Sequence, residues 1–265
     1  MKKRILGAAI LILIIVPLLI LGGLPFKLFV MLIGALGMYE IMKVRKKTKE
    51  IPIYMQILSY LYVVALIYFG SNIHSSSIVY YELLIIPLLL FLVPVVLIND
   101  NDKYNINDAL YLLGSSLFIG IGFSAFIIIR NNDLVYIIYL ALITIMTDMF
   151  AYFIGRLIGK HKLCEKISPN KTIEGSLGGL IVGTVVPTMF YLYVINSSIN
   201  VFLIVGITML FSIIGQIGDL LFSSIKRTNN VKDFSNLIPG HGGILDRFDS
   251  LLLVTITYML FISIL

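Results

Sequence analysis

Apolar residues in this chain gather into long unbroken runs with short polar connections between them. Such runs lie near Ile5–Leu21, Leu24–Met42, Tyr54–Ser71, Ile78–Ile98, Ala109–Ile129, Leu134–Phe153, Leu177–Ile195, Val201–Leu221 and Ile244–Leu265. Each approaches the ~20 apolar residues a helix needs to cross a hydrocarbon core. None alternates with the period of two that a transmembrane barrel strand requires. The pattern predicts an all-α integral membrane protein, a polytopic bundle of about nine transmembrane helices. Only GGLP separates the first two runs, which reads as a tight hairpin or a broken element. The last run is impure at its start, where Asp246, Arg247 and Asp249 sit. The opening MKKRILGAAILILIIVPLLI has the basic start and apolar middle of a signal peptide. No small-x-small cleavage site follows it, so it is expected to remain as the first span.

Composition supports the membrane reading. Hydrophobic residues make up 59% of the chain and charged residues 13%, against roughly 25% charged in a soluble domain. The single cysteine, Cys164, allows no internal disulfide and gives zinc little support; it is expected to be a loop bystander.

The net charge of +6 is not a nucleic-acid signature, because the basic residues are distributed over particular loops. KKR opens the chain, KVRKKTKE (43–50) follows the second run, RLIGKHKLCEKISPNK (156–171) the sixth and IKRTNNVK (225–232) the eighth. The alternate connections SNIHSSS (71–77), RNND (130–133) and NSSIN (196–200) are short and nearly uncharged. The positive-inside rule then places the amino terminus and every even-to-odd loop in the cytoplasm, and the carboxyl terminus outside. The acidic loop NDNDKYNIND (99–108) also falls inside, a weak objection because acidic residues count little in that rule. KVRKKTKE reads as a topological anchor or as a patch for anionic membrane lipids. Without a long polar segment or an internal repeat, the chain divides into amino-terminal transmembrane helices (1–130) and a carboxyl-terminal catalytic region (131–265), whose chemistry must use helix ends and loops.

Four carboxylates carry the candidate chemistry. Asp148 and Asp219 lie late in the sixth and eighth runs, and Asp246 and Asp249 open the ninth, so topology puts all four near the cytoplasmic interface. Asp148, Tyr152 and Arg156 recur every fourth residue on one helix face, and Gln216, Asp219 and Ser223 share another. An aspartate near hydrocarbon faces a cavity, pairs with a cation or functions; the structural alternative here is an ion pair with Arg156 or Arg247. Clustered aspartates with hydroxyls suit Mg²⁺, a hard cation that takes oxygen ligands. Arg156, Lys160, Lys162, Lys171, Lys226, Arg227, Lys232 and Arg247 suit phosphates, and the glycines of PGHGG (239–243) permit turns whose N–H groups face an anion. His241 protonates a leaving group or binds phosphate in one reading, and merely caps its loop in the other. No Ser-His-Asp order or cysteine nucleophile indicates covalent catalysis. Residue chemistry therefore points to phosphoryl or nucleotidyl transfer with a lipid as one reactant.

Residues 224–249, SIKRTNNVKDFSNLIPGHGGILDRFD, resemble the signature of the phosphatidate cytidylyltransferase (CDP-diglyceride synthase) family. The match runs through Ser224, Lys226, Arg227, Lys232, Asp233, Ser235, Pro239, His241, Gly242, Gly243, Asp246, Arg247 and Asp249. A second block, TDMFAYFIGRLIGKHKLCEKISPNKTIEGSLGG (147–179), is similar to the family's region ahead of that signature. The resemblance implies that CTP and phosphatidate react to give CDP-diacylglycerol and pyrophosphate with a divalent metal, Mg²⁺, at a cytoplasm-facing site of the cell membrane. It implies Asp219 and Asp246 as metal ligands, with Asp148 and Asp249 as outer or alternate ligands, and Lys171, Lys226, Arg227, Lys232 and Arg247 on phosphates. Ser168, Pro169, Thr172 and Glu174 would shape the nucleotide side, with Arg156, Ser224, Gly242 and Gly243 as further binding residues and His241 in the catalytic group. It also implies a homodimer, and leaves open a second cation such as K⁺. The rivals are a CTP-using lipid kinase, a cytidylyltransferase for another lipid, and an ion-coupled transporter, whose sites usually lie at the bilayer midplane in repeated halves.

Overall fold

The computed structural model describes residues 13–72, 77–98, 100–238, 240, 242–262 and 264. Residues 13–21 form helix α1, and α2 (Gly23–Arg45), α3 (Ile53–Gly70), α4 (Ser77–Ile98), α5 (Ile106–Asn132) and α6 (Leu134–Ile158) follow. A short hairpin of β1 (Lys162–Cys164) and β2 (Ser168–Thr172) leads into α7 (Ile173–Phe190), a π-helical turn (Tyr191–Ile195), α8 (Val201–Thr228) and α9 (Leu245–Tyr258). Six of these are long and apolar enough to cross a membrane: α2, α3, α5, α6, α7 with its π turn, and α8. The start of the first apolar run, Ile5 to Ile12, lies outside the described residues.

Two features depart from the expected all-α series. The polar stretch after α6 folds into an antiparallel hairpin, pairing Lys162 with Thr172 and Cys164 with Ser168. The final run, expected to be helical from Ile244 to Leu265, leaves the helix at Tyr258 and continues as turns. There the amide of Leu260 bonds the Thr257 carbonyl and that of Phe261 the Tyr258 carbonyl. Thr255 and Thr257 direct their hydroxyls at the Leu252 and Leu253 carbonyls, as Thr144, Thr184 and Thr208 do at carbonyls within α6, α7 and α8.

The chain resolves into two compact units. The first holds the described residues up to Asn131 together with Asp233–Asp246; the second holds Asn132–Lys232 and Arg247–Leu265. In the first, Phe26 meets Phe126 with ring centroids 5.7 Å apart, and Tyr62 meets Phe91 edge-on at 6.2 Å. Buried tyrosines keep their hydroxyls satisfied: Tyr62 donates to the Leu83 carbonyl (2.7 Å) and Tyr104 to that of Phe91 (3.0 Å). The loops 43–50 and 99–108 meet at one end of this unit, where Asp108 takes Arg45 at 3.0 Å and Lys49 at 2.6 Å. The acidic loop and the basic loop therefore share a side.

In the second unit α7 lies close against α6. A Cβ on Gly179 would come within 2.5 Å of the Thr147 carbonyl oxygen, so only glycine permits this approach. Polar pairs join α8 to its neighbours along its length. Tyr139 pairs with Thr208 (2.7 Å), Thr147 with Ser212 (2.8 Å), and Ser176 donates to Gln216. Such pairs satisfy hydroxyls and amides that hydrocarbon would leave unpaired.

Candidate active site

In the second unit, α6, β2, α8 and α9 contribute charged side chains to one neighbourhood. α8 carries Asp219 in its last third, and Lys171 from the end of β2 forms an ion pair with its carboxylate. Ser223, one turn on, donates its hydroxyl to Asp219 Oδ1 at 3.3 Å. α9 reaches α8 at Gly218, where a Cβ would stand 2.8 Å from the carbonyl oxygen of Asp249. That close approach brings Asp249 beside Asp219. The charges of Asp148, Asp219 and Asp249 act on one another, with Lys171 and Lys226 as the opposing cations. The alternative pairing of these aspartates with Arg156 or Arg247 does not occur among the ion pairs of the described residues; Asp219 takes Lys171. Asp148 is exposed on the same face of α6 as Tyr152 and Arg156, and Arg156 donates to the Tyr152 hydroxyl at 3.4 Å.

The end of α8 is closed by its own sequence. Asn230 adopts φ 55°, a left-handed conformation that asparagine tolerates. The amides of Asn230 and Val231 then return to the carbonyls of Arg227 and Lys226 at 3.0 and 2.9 Å, the two bonds of a Schellman termination. Lys226 is thereby held at the last turn, only 8% exposed, while Arg227 donates to the Ile167 and Val231 carbonyls, both at 3.2 Å. Ser224 lies on the same turn. Lys232 and Arg247 are exposed.

The hairpin is organised by residues that the sequence placed on the nucleotide side. Thr172 caps α7, accepting the Gly175 amide at 3.2 Å. The Glu174 carboxylate takes the amides of Lys160 (3.1 Å) and His161 (3.2 Å) and lies 2.6 Å from His161 Nδ1. Lys162 donates to the Pro169 carbonyl at 2.6 Å, and Ser168 pairs with Cys164 across the strands. Glu174 thus holds the Gly-Lys-His turn in shape.

The signature loop belongs to the first unit and is pinned by two carboxylates. Asp246 Oδ2 accepts the amides of Phe234 (3.0 Å) and Gly243 (2.9 Å). Gly240 and Gly242 take φ values of 78° and 83°, which favour glycine. The second carboxylate, absent from the sequence expectation, is Glu40 of α2. It is completely buried and accepts the Ser235 hydroxyl at 2.5 Å and the amides of Ile244 and Leu245 at 2.8 and 2.9 Å. Its signal was a lone carboxylate inside the apolar run GMYEIM. His241 and Pro239, both in the signature, lie outside the described residues.

Among the described residues no three His, Cys, Asp or Glu side chains converge into a ready-made metal group. Asp148, Asp219 and Asp249 lie near enough to influence one another's charge without converging on one point.

Comparison with known proteins agrees with this chemistry. The chain is 37% identical over 258 residues to a phosphatidate cytidylyltransferase of Staphylococcus haemolyticus (strain JCSC1435), covering 96% of each chain. It is 37% identical over 256 residues to that of Staphylococcus aureus (strain COL), again covering 96% of each. With the Bacillus subtilis (strain 168) enzyme of the same name it shares 36% over 259 residues, covering 96% of this chain and 94% of the other. Residues 2–265 match the cytidylyltransferase family, and the chain belongs to that family.

Proposed function

We propose that this chain is a phosphatidate cytidylyltransferase that converts CTP and phosphatidate to CDP-diacylglycerol and pyrophosphate at the cytoplasmic face of the cell membrane. The observation that carries the reading is the gathering of Asp148, Asp219 and Asp249 with Lys171 and Lys226 on helices apolar enough to span a bilayer. A lipid phosphate and a nucleotide triphosphate both need cations, and a membrane-soluble reactant needs a membrane-borne site. The nine apolar runs support about nine spans, and the positive-inside asymmetry supports a cytoplasmic amino terminus.

A non-bridging oxygen of the phosphatidate phosphate forms a bond to the α-phosphorus of CTP. The bond from that phosphorus to the α,β-bridging oxygen breaks, and its electron pair departs with pyrophosphate. The attacking oxygen is already anionic, so no protein base is required, and the residues act through alignment and charge. Lys171, Lys226, Arg227, Lys232 and Arg247 receive phosphate oxygens, with Lys171 exchanging its Asp219 partner for a phosphate. Ser168, Thr172, Glu174 and Arg156 shape the hairpin side, and Ser224, Gly242, Gly243 and His241 complete the signature. Mg²⁺ held by Asp219, with Asp148 and Asp249 beside it, would supply a Lewis acid that neutralises charge building on the phosphates. Asp246 serves through the loop amides it holds. A homodimer and a second cation such as K⁺ complete the proposal, tested by mass in detergent and by replacing K⁺ with Na⁺ in the assay.

The deciding experiment gives purified protein phosphatidate, Mg²⁺ and α-labelled CTP in detergent. Label is expected in CDP-diacylglycerol, abolished by EDTA and restored by excess Mg²⁺. Transfer of γ-label to a lipid alcohol instead would establish a lipid kinase, and no transfer from either position would refute both.

A further inference from the structure

We infer that Glu40, far from the signature in sequence, is a positioning residue for it: its carboxylate fixes the starting point and phase of α9. This inference rests on the cytidylyltransfer reading above.

A helix start needs acceptors for its first amides, usually from a Ser, Thr, Asp or Asn at the cap. The sequence entering α9 is GGILDRFD, which offers Ile244 at that place. Glu40 supplies the missing acceptors from α2, one carboxylate oxygen to Ile244 N and the other to Leu245 N. The same carboxylate takes Ser235 Oγ, and Ser235 in turn accepts the Leu237 amide at 3.1 Å. Both ends of the loop are thus tied to one buried group. Gly243 lies against it so closely that a Cβ there would come within 2.5 Å of Glu40 Oε1. Asp246 closes the loop from inside the helix through the Phe234 and Gly243 amides.

The consequence lies along α9. Asp246 occupies its first turn, so the rotation and height at which α9 begins decide where that side chain points and which loop amides it meets. A buried acid in an apolar helix is costly unless its oxygens are matched, and here each oxygen meets a signature-loop donor. Glu40→Gln puts an NH₂ where two backbone donors converge, so one amide loses its acceptor while volume is kept.

The test compares wild type, Glu40→Gln, Glu40→Asp and Ser235→Ala for kcat, for KM of each substrate, and for amide hydrogen exchange. In Glu40→Gln, kcat per folded molecule is expected to fall about 10- to 100-fold, as for other partners that orient functional groups, with KM for CTP changing less than about 3-fold. Exchange should accelerate in the peptide covering 234–246 and stay unchanged in α3 and α5. Glu40→Asp, which keeps the acceptors, should recover part of the loss. A Glu40→Gln enzyme with wild-type kcat per folded molecule and wild-type exchange in the loop overturns the inference; so does a loss that only tracks the amount of folded protein. Should Glu40→Gln not fold, Ser235→Ala decides: a kcat reduction of about 3-fold or more with faster loop exchange supports the inference, and no change in either refutes it. An inactive wild type in the same assay would count against the cytidylyltransfer reading, whereas the exchange data would still judge the role of Glu40 in holding the loop.

Discussion

The two units treat carboxylates in opposite ways. In the first unit each buried acid is matched. Asp108 is fully buried and meets Arg45, Lys49 and the Asn105 amide, and Glu40 meets three donors. In the second unit Asp148, Asp219 and Asp249 act on one another as like charges. Like-charged carboxylates repel one another, and Lys171 and Lys226 are the cations that oppose them here. Matched acids thus hold loops and helix ends in place, and the proposed chemistry falls chiefly to the like-charged set. Burial alone does not separate them, since the most buried acids are the matched ones.

The largest expected effect tests the mismatched set. Asp219→Asn removes the carboxylate that Lys171 and Ser223 address. It should lower kcat at least about 100-fold, the scale of losing a group that stabilises transition-state charge. Membrane insertion and the detergent melting temperature should stay near wild type, or rise as repulsion with Asp148 and Asp249 is relieved. Label transfer from α-labelled CTP checks the first part and a thermal melt the second. An active Asp219→Asn enzyme would remove that residue from the catalytic group and leave the like charges without a purpose.

Asp108→Asn should do the reverse. Its loss leaves Arg45 and Lys49 facing a neutral amide. Those cations are still 23% and 24% exposed, so solvent takes up part of the deficit, and the cost falls below that of breaking a fully buried pair. A destabilisation of about 2 kcal/mol is expected, with kcat per folded molecule within about 2-fold of wild type. A large fall in kcat at unchanged stability would break the comparison, because Asp108 is matched by Arg45, Lys49 and Asn105 and not, as Glu40 is, by the signature loop.

Legibility in the sequence follows the same physics. The spans were readable because hydrocarbon imposes continuous runs: α3 begins and ends within one residue of the run Tyr54–Ser71. The end of α9 was not, because residues 251–262 continue the apolar run past Tyr258 with no glycine, proline or charge to mark where the helix stops. The hairpin at 162–172 was hidden among lysines, since its pairing depends on backbone bonds and on Glu174 gathering the amides of 160 and 161. The aspartates stood out by being charged within apolar runs. Their partners did not: Lys171 is one of many cations in its loop, and nothing local joins Glu40 to Ser235. Local patterns register which residues are anomalous, and tertiary contacts decide which anomalies are matched.

The smallest expected effect sharpens the comparison from the solvent side. Lys46 and Glu50 form an ion pair at 2.6 Å on the basic loop, as short as that of Lys49 with Asp108, but each side chain is 63% exposed. Water screens that attraction and both chains must be ordered to make it, so Glu50→Gln should cost less than about 0.5 kcal/mol. Melting temperatures of the Glu50→Gln and Asp108→Asn proteins, taken in one detergent and at two salt concentrations, check this directly. Equal losses would mean that contact distance governs both pairs and that the burial of Asp108 adds nothing. A clear loss only at Asp108, insensitive to salt, would tie the stability of the first unit to acids matched out of water, in contrast to the like-charged aspartates of the second.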